Sequence, residues 1–200
     1  LMPYSNLMKI MVNDGSGGFT VTTQATCQRP VSIAKGELNA QSASGQDIAV
    51  ACYTQDMLKI VKNSGDGTFT PSFHSAATNP VDVKLADINR DGRGDAVVLK
   101  AMQSPGSPEF VVYFQDASGG FTPGTPVTGL PLHSEWLQVA DADRDGDGDV
   151  LVSSYSGLNR YRNDGTGQFN SDLVFGCDDY PGKVLWQDLT KDMIADLLIP

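Results

Sequence analysis

Two nine-residue stretches hold the densest runs of oxygen-bearing side chains. The first reads Asp87-Ile-Asn89-Arg-Asp91-Gly92-Arg93-Gly94-Asp95, the second Asp141-Ala-Asp143-Arg-Asp145-Gly146-Asp147-Gly148-Asp149. Side-chain oxygens fall at positions 1, 3, 5 and 9 of both. Carboxylates crowded into so short a loop repel one another unless a hard cation takes up their oxygens, and Ca²⁺ accepts about 6–8 such ligands at about 2.3–2.6 Å. Gly92 and Gly146 stand at position 6, where the backbone must double back around an ion. Position 7 then contributes its main-chain carbonyl, which leaves its side chain free to be Arg93 in one loop and Asp147 in the other. The predicted calcium sites are therefore Asp87, Asn89, Asp91, Arg93 and Asp95, and Asp141, Asp143, Asp145, Asp147 and Asp149.

An EF-hand would place Glu at position 12 and a helix on each side. Position 12 is Val98 in one loop and Val152 in the other, and both loops run straight into apolar, β-branched strands. A calcium loop within a β-hairpin is the reading that remains. A third stretch, from Asp188 through Thr190 and Asp192 to Asp196, keeps the four oxygens, but Met193 replaces the turn glycine. With the carbonyl of Ile194 at position 7, it is expected to form a weaker site. In a fourth stretch, Glu37 and Asn39 align with positions 1 and 3, yet eight residues from Ala40 to Asp47 replace six, and no ion is expected there.

These loops recur because the chain itself repeats, and a period of this length changes the fold assignment. Asn13-Asp-Gly-Ser-Gly-Gly-Phe19 returns as Asn63-Ser-Gly-Asp-Gly-Thr-Phe69, Gln115-Asp-Ala-Ser-Gly-Gly-Phe121 and Asn163-Asp-Gly-Thr-Gly-Gln-Phe169. The closing phenylalanines stand 50, 52 and 48 residues apart. Each period carries a short apolar run, an acidic loop, a second and third run, a glycine turn and a fourth run. In the second period these are Val81 to Leu85, Ala96 to Leu99, Phe110 to Phe114 and the segment from Phe121. No stretch sustains helical apolar spacing for a dozen residues without Gly or Pro. The expected fold is all-β, a β-propeller of four-stranded antiparallel blades with four repeats of about 50 residues. The blades are expected over residues 30–77, 80–127 and 136–175, with a fourth assembled from 183–200 and 4–23, either as a closed four-bladed ring or as part of a larger propeller. In the ring, Leu197 to Ile199 would pair beside Leu7 to Val12.

Composition excludes several partners. The formal net charge is −10 over 200 residues, whereas nucleic acids and anionic membranes are met by basic surfaces. The apolar runs are far shorter than the roughly 20 residues of a membrane helix, so no membrane insertion is expected. Three cysteines, Cys27, Cys52 and Cys177, allow at most one internal disulfide and show no zinc spacing. Their pairing is open, and Cys27 with Cys177 is the pair that the order of the blades would bring together.

An acidic loop, an apolar strand and then Asn-x-Gly-x-Gly-x-Phe resembles the FG-GAP or VCBS repeats of integrin α-subunit propellers, and the resemblance runs along essentially the whole chain. It implies a calcium-binding propeller, secreted or at the cell surface, used in adhesion or glycan recognition and sometimes attached to an enzyme. Arg93-Gly94-Asp95 spells a cell-attachment tripeptide, but Asp95 is already assigned to a metal. The motif phenylalanines, Trp136 and Trp186 are read as packing between blades; Tyr53, Tyr155, His74 and His133 fall in or near connecting segments, where recognition surfaces lie. Without a nucleophile motif or a phosphate-cradling loop, no enzymatic activity is expected. The functional expectation is a non-enzymatic extracellular module whose loops bind a glycan or a protein. The alternative is a self-assembling scaffold, or the propeller part of a larger extracellular protein or enzyme.

Overall fold

Wherever the sequence places Gly beside Asn or Asp, the chain reverses, and the apolar runs between reversals become strands. The computed structural model describes residues 6–38, 45–76, 78–100, 107–176, 182–190 and 196–198. Sixteen strands lie in that span: β1 (Leu7–Asn13), β2 (Phe19–Ala25), β3 (Pro30–Gly36), β4 (Asp47–Cys52), β5 (Met57–Asn63), β6 (Phe69–Ser75), β7 (Pro80–Ala86), β8 (Asp95–Lys100), β9 (Glu109–Gln115), β10 (Phe121–Pro123), β11 (Trp136–Ala140), β12 (Asp149–Ser154), β13 (Gly157–Asn163), β14 (Phe169–Gly176), β15 (Leu185–Gln187) and β16 (Asp196–Leu198). They form three four-stranded antiparallel meanders, β3–β6, β7–β10 and β11–β14, and two two-stranded sheets, β1–β2 and β15–β16. First strands of successive meanders lie against one another, β3 on β7 and β7 on β11, so the meanders stand face to face as propeller blades.

Second strands are buried on both faces, which explains their unbroken apolar runs. In β8, Ala96 and Val98 join the core shared with the β3–β6 blade, beside Leu58, Ile60 and Val83. Val97 and Leu99 point the other way, into the core shared with β11–β14, beside Phe110, Leu137 and Val152. First strands instead carry polar fasteners. Asp82 is almost fully buried, just past a bulge in the β7–β8 pairing. Its carboxylate accepts hydrogen bonds from Ser32 Oγ of the preceding blade, Leu137 N of the following one (3.0 Å) and Lys84 Nζ (2.9 Å). One buried carboxylate, satisfied from three sides, thus ties three blades together.

Two expectations meet a different arrangement. Cys27 is disulfide-bonded to Cys52, with Cα atoms 5.7 Å apart, and not to Cys177, which lies outside the described residues. The antiparallel β3–β4 hairpin explains the pairing, because it sets Pro30 opposite Cys52 and so carries Cys27 to the end of β4. In addition, β1 pairs only with β2 and β16 only with β15 among the described residues, so Leu197 and Leu198 do not lie paired beside Leu7 to Val12 as anticipated, and Ile199, the end of that expected pairing, lies outside the described residues.

Candidate functional site

The meander geometry sorts the connections to two ends of each blade. Gly36 stands opposite Asp47, Ala86 opposite Asp95 and Ala140 opposite Asp149, which places every first-to-second-strand loop at one end. Second-to-third-strand turns and blade-to-blade connections lie at the other.

At the acidic end, Asp141, Asp143 and Asp145 are exposed and bring carboxylate oxygens within 4.8 Å of one another. The donors are all oxygen, with no sulfur or imidazole nearby in that group, a set suited to a hard divalent cation. Position 4 is left-handed in both complete loops, with φ of 57° at Arg90 and 68° at Arg144, and so is the turn glycine, at 81° for Gly92 and 90° for Gly146. Asp87 accepts the N–H groups of Asp91 (3.1 Å) and Gly92 (2.9 Å), and Asp141 that of Gly146 (3.1 Å), so position 1 caps the turn from within.

The position-9 aspartates do something the spacing did not suggest. Asp95 and Asp149 are fully buried, and both oxygens of each receive backbone N–H groups: Ile88 (3.0 Å) and Gln115 (2.9 Å) for Asp95, Ala142 (3.1 Å) and Asn163 (2.9 Å) for Asp149. Asp47, in the blade whose loop lacks the acidic pattern, makes the same pair of contacts with Leu38 (3.1 Å) and Asn63 (2.7 Å). This carboxylate therefore staples the loop to the end of the third strand whether or not acidic neighbours surround it. Burial pushes the Asp95 carboxyl up to about 6 against the pull of those N–H groups, with Asp91 and Asp87 adding to the rise. Asp149 is raised for the same reasons, with Asp143 and Asp145 as its charged neighbours.

In the third predicted site, Asp196 accepts the N–H of Leu189 (2.8 Å) and of Thr190 (3.2 Å). Asp188 sits at the head of that loop, while Asp192 and Ile194 lie outside the described residues. The sequence reading assigned Arg93 only a main-chain carbonyl and gave the guanidiniums at this end no role. Arg90 reaches into the neighbouring loop, donating from Nη2 to the carbonyl of Asp145 (2.7 Å) and pairing with the Asp147 carboxylate. Arg93 pairs with Asp91 and donates from Nε to the carbonyl of Gln115 (3.0 Å). With Arg93 so engaged and Asp95 buried, the Arg-Gly-Asp tripeptide is turned into the fold. Gly94 lies against the carbonyl of Glu37, where an added Cβ would come within 2.3 Å.

Aromatic residues gather at the opposite end. Tyr53, just after β4, lies beneath the Arg29 guanidinium at 4.4 Å, and Tyr155, just after β12, stacks on His133 at 4.3 Å and 17°. Arg29 and His133 both precede the first strand of their blade, and both hold a left-handed backbone, with φ of 51° and 59°. The same pairing is thus built twice, in two blades. Beside the first lies a cavity of about 390 Å³ lined by Asn6, Gln28, Arg29 and Thr54. A second cavity of about 430 Å³ opens between the first strands, lined by Val31, Ile33, Trp136 and Lys183 among others. Lys183 Nζ lies 5.7 Å from the Trp136 ring centre. Of the motif phenylalanines, Phe169 packs edge-on against Phe110 (5.1 Å) and Phe121 against His74 (5.0 Å), whereas Phe19 is exposed.

Residues 45–98 match the FG-GAP-like repeat family. That span begins just before β4 and closes within β8, so it holds the first complete acidic loop. Two solved structures share the fold around this FG-GAP-like repeat. One is a lectin from Agrocybe aegerita, described as specifically recognising non-reducing terminal N-acetylglucosamine, at 16% identity and a TM-score of 0.60, covering 98% of this chain and 60% of the lectin. The other is a protein from Lactobacillus plantarum, at 15% identity and a TM-score of 0.50, covering 90% of this chain and 56% of that one. The chain therefore spans less than two thirds of either structure, and at these identities the likeness is one of fold. No curated protein sequence matches the chain significantly.

Proposed function

We propose that the chain is a non-enzymatic, calcium-stabilised binding module of an extracellular or periplasmic compartment, and that it binds a glycan at the end of the blades opposite the acidic loops. The observation that carries this reading is the repeated pair, Arg29 on Tyr53 and His133 on Tyr155. A tyrosine ring with a donor side chain stacked on it sets aromatic surface and hydrogen-bonding groups side by side for a sugar, the mix by which small-molecule sites fix orientation. Asn6, Gln28 and Thr54 add amide and hydroxyl groups around the first pair. The Cys27–Cys52 disulfide accords with an oxidising compartment. Calcium would be held by Asp141, Asp143, Asp145, the Asp147 carbonyl and Asp149, and by Asp87, Asn89, Asp91, the Arg93 carbonyl and Asp95, with a weaker third site about Asp188, Thr190, Asp192, Ile194 and Asp196. Its part is structural, relieving repulsion among the carboxylates.

A glycan array read with and without Tyr53→Ala and Tyr155→Ala tests the reading. Sugar binding weakened by both substitutions supports it; binding untouched by either rejects this end of the blades as the site.

Assembly is the second reading, favoured by the two-stranded sheets. Leu7, Met11, Val12, Phe19 and Val21 of β1–β2, and Leu185 and Leu198 of β15–β16, are 43–57% exposed, more apolar surface than a lone sheet should leave in water. Light scattering that shows concentration-dependent association, with no sugar bound, would favour it.

A further inference from the structure

The two complete acidic loops match at positions 1, 5, 6 and 9, differ by an amide for a carboxylate at position 3, and diverge most in charge at position 7. There the β7–β8 loop has Arg93 and the β11–β12 loop has Asp147. Residues 87–95 hold three carboxylates and two guanidiniums, whereas residues 141–149 hold five carboxylates and one guanidinium. Where those charges go matters more than their number. The Arg93 guanidinium sits on the Asp91 carboxylate, and its Nε is anchored on the carbonyl of Gln115 at 3.0 Å. Asn89 Nδ2 donates to the same Asp91 oxygen at 3.0 Å, so two of the three predicted side-chain ligands at positions 1, 3 and 5 are engaged with each other or with arginine. In the β11–β12 loop the corresponding Asp141, Asp143 and Asp145 face one another within 4.8 Å. The arginine that visits this loop, Arg90, takes a main-chain carbonyl and the position-7 carboxylate.

We propose that Arg93 is a built-in competitor of the cation at the β7–β8 loop, so that the two loops form a weak and a strong site that fill in sequence. This rests on the calcium reading above. A divalent ion entering the β7–β8 loop must draw Asp91 away from the guanidinium and then sit near a positive charge tethered to Gln115; both steps oppose binding. The β11–β12 loop has no such displacement to make at Asp145 and gains a carboxylate at position 3, Asp143 in place of Asn89, while its other added carboxylate, Asp147, is held by Arg90. Calcium at low concentration then occupies the β11–β12 loop and fixes the blades, while the β7–β8 loop responds only at higher free calcium. Arg93 sets that threshold without being a ligand through its side chain.

Calorimetric titration of the chelator-treated 200-residue chain with Ca²⁺ tests this. In an Asp188→Asn background, which removes the third loop from the titration, the chain is expected to show a tight and a weak step; Asp145→Asn should abolish the tight one and Asp91→Asn the weak one. Arg93→Met, which keeps the stem and removes the charge, should tighten the weak step about tenfold and leave the tight one unchanged, and Arg93→Gln should do the same should the Met variant fail to fold. Two steps unaffected by either Arg93 substitution would overturn the inference while leaving the calcium reading intact. A wild type that takes up no calcium would overturn both, and its melting temperature would then be insensitive to chelator.

Discussion

At the residue scale, one aspartate has two separable jobs. Asp47, Asp95 and Asp149 each bind two backbone N–H groups at equivalent places, yet only the last two belong to acidic loops. Removing Asp47 strands two N–H groups, and at about 1–3 kcal/mol for each unsatisfied group Asp47→Ala should cost about 2–6 kcal/mol in urea unfolding. Its calcium stoichiometry should not change. Asp141→Ala should behave in the opposite way, losing an ion with little effect on the calcium-free protein, because that side chain is exposed. The motif made positions 1, 3 and 5 legible, since close oxygens of one loop are a local property. The staple was not legible, because its second partner lies 14 to 20 residues further on, at the end of the third strand. His74 supplies a pH signature of its own. Burial and then the charge of Lys62 lower its pKa, so as pH falls through about 6.5, its unperturbed value, the unfolded chain takes up a proton that the folded chain resists. This contribution of His74 should therefore destabilise the fold on acidification from pH 7 to 5, against Asp95, whose raised carboxyl takes up a proton in the folded chain over the same range. His74→Phe, which keeps a ring against Phe121, should remove the His74 contribution, so that its melting temperature gains on the wild type's as the pH is lowered.

At the element scale, the strands were legible because glycine turns bound them at regular intervals and each second strand is an unbroken apolar run buried on two sides. What tied blade to blade was not. Asp82 reads as one polar residue in a strand, and only the bulge beside it and the approach of three first strands turn it into a shared acceptor. Asp82→Ala should leave the Leu137 N–H and the Lys84 ammonium without their buried acceptor, at about 3–5 kcal/mol by analogy with breaking buried charge pairs, and should lower the unfolding midpoint in denaturant; a loss under 1 kcal/mol would show that water replaces the carboxylate. The cysteines make the same point, since neither spacing nor repeat phase brings Cys27 to Cys52 until β3 and β4 are paired. Cys52→Ser should destabilise by about 2–4 kcal/mol in non-reducing conditions, and reduction of the wild type should match it.

At the scale of the whole molecule, the two sheets are separate among the described residues, while the sequence repeat aligns β15 and β16 with the first and second strands of a blade, and β1 and β2 with the third and fourth. The staple supplies the register. In the complete blades the stapling aspartate reaches Asn63, Gln115 or Asn163 at the end of the third strand, and the residue after it pairs two residues before that end: Ile48 with Val61, Ala96 with Tyr113, Val150 with Tyr161. Carried to the terminal sheets, Asp196 should accept the N–H of Asn13, and Leu197 should face Met11. Joining these edges would cover Leu198 and Met11, both now exposed, and remove the two inner strand edges, leaving β15 and β2 as the edges of that blade. Leu197→Cys with Met11→Cys, made in a Cys177→Ser background, tests the register by non-reducing mass analysis. A crosslink within one chain is the expected outcome and means that the two halves close one blade. A crosslink between two chains would mean that the same edges serve assembly, and failure of these cysteines to react under oxidation, while a pair shifted by two residues does react, would show that the staple does not set the register.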